Sequence, residues 1–377
     1  MKNILIIDSS PEQTGSLASL FDGLSAEGYN FYFFRNSQTP CPQNFSEKNK
    51  IVKKIFLGRG LEKGNKLLFI FFLPFLYFFA IFYLTYYKLN KKITSLILCS
   101  INEKIIFTPL ARLLKLKIIW LEFPRSGINL GGKKKLLLFY KACAPMAEII
   151  TFNNLTKNEI EKIGAPPKNI SVIFPAIKLK QHESQDNIFS GIARADTKFN
   201  RKFFTIGTEI NLNKKQKIET LFSAVKNCLP IIPNIQLIII GEGEEKKNIA
   251  WLAKKMGLET IVWFVGAQNN LNKWVDNLNI YIMTGEFPAI SDFNAVLKAM
   301  AGGLPVIGPK NAGLEDIVYE NKTGVLLEAD NGEMLARQII KLHRDKRLRL
   351  KIGELAKERV ELYFTLEKQI NEFKKII

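Results

Sequence analysis

Several residue types and motifs are scarce in this chain of 377 residues, and each shortage closes off a class of chemistry. Only two histidines are present, His182 and His343, so neither a histidine metal cluster nor a Ser-His-Asp triad is easily assembled. The four cysteines, Cys41, Cys99, Cys143 and Cys228, lie far apart without a CxxC pair and read as reduced, mostly buried thiols of a cytosolic protein. No Asp-x-Asp pair occurs, which points to metal-independent chemistry; no metal and no cofactor are expected. Acids are also outnumbered: 35 Asp and Glu stand against 54 Lys and Arg, a formal charge of +19. Lysine far exceeds arginine, and such a surface is drawn to anionic partners such as lipid headgroups, polyprenyl phosphates or sugar nucleotides. A solvated Lys-rich surface without such a partner is the alternative. Nucleic acid is not the expected partner, because the lysines are spread along the chain and no recognised binding motif accompanies them. The opening MKNILIID reads as a short strand ending in Asp8, not as a secretory leader.

Apolar residues, by contrast, make up 47% of the chain, enough for two cores. The length suits two domains of roughly 150 to 200 residues. Ile4 to Ile7, a polar loop holding Gly15 and Ser16, a helix from Leu17 and a strand over Asn30 to Phe34 give a βαβ opening. The segment around Lys53, Lys54, Arg59, Lys63 and Lys66 reads as a basic connection. It leads into LLFIFFLPFLYFFAIFYLTYY, residues 67–87, without a single charge. As a helix this run is long enough to cross a hydrocarbon core, but a strand over Ser95 to Cys99 follows at once and lysines flank both ends. The favoured expectation is a helix, broken near Pro74, lying on or dipping into the cytoplasmic leaflet; a true span and a buried core helix are the alternatives. Strand Lys117 to Leu121 then ends at Glu122, for which the readings are an acceptor-side carboxylate or a strand-end acid paired with Arg125.

The densest signal is NAVLKAMAGGLPVIGPKNAGLEDIVYENKTGVLLEAD, residues 294–330. A helix stopped by Gly302-Gly303, a short buried strand through Pro305-Val306-Ile307, and a loop with Asn311, Ala312, Gly313 and Asp316 make an α/β unit. The amides at Ala312-Gly313 sit where such sheets bind phosphates. KAMAGGLPVI, AGLEDIV and KTGVLL resemble, in order and spacing, the donor signature of the retaining, family-four GT-B glycosyltransferases. The stretch from Glu148 to Ile177 and the Gly241-Glu242-Gly243 turn after a strand resemble the same family.

That resemblance implies an α/β chain of two Rossmann-like domains facing a cleft. The implied division is an acceptor-side domain over 1–178, a linker over 179–201, a donor domain over 202–360 and a final helix over 361–377 crossing back. It implies a nucleotide-sugar donor, a lipid-linked or glycan acceptor and an anionic membrane surface as partners. Donor contacts are expected from Gly207, Lys215, Gly241, Gly243, Asn294, Asn311, Ala312, Gly313 and Asp316, and acceptor contacts from Gly15 and Ser16. Four positions depart from the family pattern: Thr208 stands for an Arg, Gln216 for a Lys, and Ile290 and Lys298 for a pair of glutamates eight apart. Asp292 or Glu286 is therefore the expected sugar-side carboxylate, with Glu122 a further catalytic candidate. Two functional readings follow: an active glycosyltransferase at the cytoplasmic membrane face, or a non-catalytic protein of the same fold that binds a nucleotide, glycan or partner.

Overall fold

The computed structural model describes residues 2–8, 14–35, 50–54, 66–124, 134–179, 203–212, 218–268, 272–275, 277–283, 289–310, 313–328 and 331–377. They form two compact units, Met1–Pro175 with Leu366–Ile377, and Ala176–Thr365.

The first unit is built on a parallel seven-stranded sheet: β1 (Lys2–Asp8), β2 (Tyr29–Arg35), β3 (Lys50–Lys54), β4 (Ile93–Leu98), β5 (Lys117–Glu122), β6 (Glu148–Thr151) and β7 (Ile170–Val172). Their spatial order is β3-β2-β1-β4-β5-β6-β7. Inner strands such as LIL and IIW are apolar on both faces, as a sheet covered by helices on either side requires. The segment read as a basic connection contains the edge strand β3, paired in parallel with β2. Its composition, KIVKK, hid it, since lysines on an edge discourage further pairing and look like loop in sequence.

Helix Lys66–Lys91 runs unbroken through Pro74, contrary to the expected break. Its side chains are described from Tyr77 onward. Ala80, Leu84 and Tyr87, spaced for one face, enter the core of the unit, where the Phe34 ring meets Tyr83 at 5.7 Å and Tyr87 at 6.3 Å. Phe78, Phe82, Tyr86 and Leu89, on another face, are exposed. Among the described residues no helix is long and apolar enough to cross a membrane. Helix Leu366–Ile376 also belongs to this unit: Phe373 packs edge-on to Phe21 at 6.5 Å, and Lys374 pairs with Glu27 at 2.6 Å.

The second unit holds a parallel six-stranded sheet of β8 (Phe204–Glu209), β9 (Ile235–Ile240), β10 (Val262–Gly266), β11 (Ile280–Ile282), β12 (Val306–Pro309) and β13 (Gly324–Leu327). The spatial order is β10-β9-β8-β11-β12-β13, so the winding reverses between β8 and β11. Helix Ile290–Ala301 connects β11 to β12 and ends in a Schellman motif: Gly303 is left-handed (φ 75°), Leu304 N–H donates to Ala299 O, and Gly303 N–H to Met300 O. Helix Lys346–Tyr363 crosses this turn so closely that a Cβ on Gly353 would lie 1.9 Å from Gly303 O.

Candidate functional site

In an open α/β sheet, ligands bind beyond the carboxyl ends of the strands where the winding reverses, which in the second unit is the end of β8 beside β11. Gly207 lies opposite Tyr281 there, and a Cβ on it would strike Leu278 at 2.5 Å, so its small size serves local packing. Thr208 is buried with its hydroxyl unpartnered among the described residues, and the last residue of the strand is Glu209. The Glu209 N–H donates to the Tyr281 hydroxyl at 3.3 Å, while its carboxylate Oε2 is buried without a hydrogen-bond partner among the described residues. Burial pushes the Glu209 carboxyl above its ordinary value; Lys298 pulls it down and Asp292 pushes it further up. Tyr281, fully buried beneath this acid, is likewise held well above the ordinary phenol value by desolvation first and by Glu209 second.

Asp292 stands in the first turn of helix Ile290–Ala301, where its Oδ2 accepts the Ala289 N–H at 2.7 Å. That bond satisfies one of the helix's otherwise open amides. Asn294 and Lys298 lie further along the same helix, both partly buried, and Ile290 is buried at its start. Helix Ile290–Ala301 and the end of β8 therefore bring Asp292, Lys298 and Glu209 into one electrostatic neighbourhood.

Gly241 and Gly243 have a tighter local role. A Cβ on Gly241 would lie 1.9 Å from Ile210 O, and one on Gly243 would lie 2.3 Å from Leu212 O. Leu212 N–H donates to Glu242 O at 3.1 Å, and Glu245 N–H to Leu212 O at 3.0 Å. The two glycines thus let the turn after β9 press against the segment leaving β8. Gly313 is left-handed (φ 75°) and opens the short 3-10 turn Leu314–Asp316. Arg359, which gave no signal in sequence, holds this turn from below: its guanidinium donates to Ile317 O at 2.6 Å and Asp316 O at 2.9 Å, stacked 3.5 Å over the Tyr319 ring. Lys215, Glu286, Asn311 and Ala312 lie outside the described residues.

In the first unit, Gly15 and Ser16 follow β1 and are both partly buried; the Thr14 hydroxyl beside them donates to buried Asp8. Glu122 ends β5 and is sealed into an ion pair with Lys104, Oε1 to Nζ 2.8 Å, both side chains only 2% exposed. Tyr140 donates to the same oxygen at 3.0 Å, and Lys104 also donates to Leu121 O at 2.7 Å. The strand-end acid is thus paired, with Lys104 as its partner; Arg125 lies outside the described residues. An acid so enclosed has no exposed face for an acceptor, and the structure gives Glu122 to the fold where sequence had offered it a catalytic part.

Residues 191–359, which contain all six strands of the second sheet, match the family described as glycosyl transferases group 1. Over that stretch the chain is similar to these glycosyltransferases. Its fold is GT-B: HepE from Anabaena, solved with UDP and glucose, superposes with a TM-score of 0.77 at 14% identity, covering 100% of this chain and 99% of that one. Among curated proteins, N-acetyl-alpha-D-glucosaminyl L-malate synthase of Bacillus anthracis is 25% identical over 58% of this chain and 56% of its own length. The lipopolysaccharide core biosynthesis glycosyltransferase LpsE of Rhizobium meliloti is 25% identical over 41% of this chain and 44% of its own length. The chain therefore spans about half the length of these curated relatives. Within this glycosyltransferase frame, the positions where the family pattern implies two acids hold a buried Ile290 and the cation Lys298. Glu209 was overlooked in sequence; the available signal was a charged residue closing an otherwise uncharged central strand.

Proposed function

We propose that the protein is a glycosyltransferase that moves a sugar from a nucleotide-sugar donor to a lipid-linked or polysaccharide acceptor. It works as a peripheral cytoplasmic protein on the inner face of the cell membrane. The observation that carries this reading is the coincidence of the family match with the sheet whose winding reverses between β8 and β11. The donor binds at that reversal, with Asn294, Asp292 and the Gly313 turn around it; Gly207, Gly241 and Gly243 shape the backbone that carries them. Support for a nucleoside diphosphate donor comes from HepE, solved with UDP, and support for an envelope glycan acceptor from LpsE, named for lipopolysaccharide core biosynthesis.

Membrane attachment is supported by the first unit. Helix Lys66–Lys91 packs beside Ile101–Leu113, which packs in turn beside Lys134–Cys143. Exposed Phe78, Phe82, Tyr86 and Leu89 on the first, Leu113 on the second, and Leu138 and Phe139 on the third give these neighbouring helices an apolar outer surface. Lys88, Lys91, Lys92 and Lys115 stand at its end, so an anionic bilayer offers both burial and charge neutralisation.

A thermal-shift series with UDP-, GDP- and ADP-sugars tests the donor assignment, followed by a transfer assay with a polyprenyl-phosphate-linked glycan. Stabilisation by one donor and turnover of it are expected; stabilisation by none overturns the proposal. The replacement of the implied acids by Ile290 and Lys298 favours a second reading, a binding protein without transfer. Donor binding without turnover or donor hydrolysis would select that reading.

A further inference from the structure

An acid closes β8 and a cation stands on helix Ile290–Ala301, and the two form no ion pair with one another. Glu209 has a buried Oε2 with no hydrogen-bond partner, and Lys298 is left without an ion pair, both among the described residues. The two nonetheless sense each other electrostatically. The remaining acid of the neighbourhood, Asp292, has one oxygen on the Ala289 N–H, and the Tyr281 hydroxyl accepts the Glu209 main-chain N–H. The contrast with the first unit is chemical: there a strand-end glutamate and a helix lysine touch at 2.8 Å and exclude solvent. A buried carboxylate with an empty acceptor position costs stability, and folds retain such a group where a ligand supplies the missing donor. A ligand that completes this arrangement must bring an anion to the ammonium and a hydroxyl to the carboxylate, side by side.

We propose that Lys298 and Glu209 form the charged jaws of the donor site, Lys298 taking a phosphate oxygen of a nucleoside diphosphate and Glu209 accepting a hydrogen bond from a neighbouring hydroxyl of the same ligand. This rests on the donor-site reading above and deepens it, because the cation then comes from helix Ile290–Ala301 and the acid from the strand end. Both are positioning residues for a bound nucleotide.

The test is calorimetric titration of the full chain with UDP, GDP and ADP, on the wild type, Lys298→Met and Glu209→Gln, with the melting temperature of each free protein. The expected result is that Lys298→Met weakens the best-bound nucleotide about tenfold or more, as loss of a charge-assisted contact does, with the free protein's melting temperature unchanged. Glu209→Gln is expected to weaken the same nucleotide while raising the free protein's melting temperature. A merely structural residue would not move affinity and stability in opposite directions. Wild-type affinity in both variants overturns the inference and leaves the donor site standing elsewhere in the unit; no nucleotide bound by the wild type overturns the inference and the donor-site reading together. Should Glu209→Gln not fold, unchanged affinity in Lys298→Met is sufficient to reject the pair.

Discussion

The two sheets share a winding and differ in what their carboxyl ends do with charge. In the first unit the acid closing β5 is met by Lys104 and Tyr140, and the Asp8 that closes β1 is met by Thr14, all buried. In the second, the acid closing β8 has a buried oxygen without a hydrogen-bond donor among the described residues, and Lys298, which acts on it electrostatically, forms no ion pair with it. One sheet end is closed by its own side chains and the other is left to be completed. The difference teaches that topology locates a possible site, whereas the satisfaction of its polar groups decides whether the location is already occupied by the fold.

The largest expected effect breaks the closed end. Lys104→Met leaves Glu122 in the interior without its cation, and urea unfolding should show a loss of about 3–5 kcal/mol. Adding Glu122→Gln should return most of that loss, since removing both charges of a buried pair is close to neutral. Next in size is Gly353→Ala. Alanine ordinarily favours a helix over glycine, but here the new methyl meets Gly303 O, so a loss of about 1–3 kcal/mol in the same assay is expected in place of a gain.

Glu209→Gln sharpens the open end through pH. The folded-state value of this carboxyl is raised by burial above its ordinary 4.5, so the folded protein is the better proton binder. Its burden is absent below the ordinary value and grows as pH rises through the folded value. The Gln variant should therefore melt higher than wild type at neutral pH, with the gap closing as the pH is lowered toward 4.5 in a thermal scan series. His343 gives a smaller pH signature of opposite sense. Burial first, then Arg349 and Arg344, hold it below its ordinary 6.5, so the stability it contributes is present above that value and declines as pH falls through the folded one. His343→Phe should flatten the melting profile on the acid side of 6.5. The least change in stability is expected for Phe78→Ser with Phe82→Ser: within about 0.5 kcal/mol, because both rings are exposed. Sedimentation with anionic vesicles should nevertheless fall clearly, and undiminished binding would remove the helix from the membrane reading.

The apolar run over 67–87 illustrates how far sequence carried. Length and hydropathy announced a helix, but membrane surface, membrane span and core competed because an all-apolar helix has no polar face to orient it. Packing separated its faces: Ala80, Leu84 and Tyr87 joined the core while Phe78, Phe82, Tyr86 and Leu89 did not. The glycine-marked turns of the second unit were legible for a different reason. Gly303 and Gly313 occupy left-handed backbone that disfavours other residues, so their chemistry is visible as letters. Glu122 and Glu209 were not separable in this way, since both are acids at the end of a largely buried strand.

By itself the sequence determined the alternation of strands and helices, the family resemblance and the glycine-marked turns, because periodicity and forbidden backbone angles are local properties of residue type. Only the tertiary structure decided that KIVKK pairs as an edge strand, that Glu122 meets Lys104, and that Glu209 comes under the electrostatic influence of Lys298 without an ion pair between them. Those outcomes depend on which distant residues share a buried volume, and the energy of a charge is set by the neighbours that replace its water.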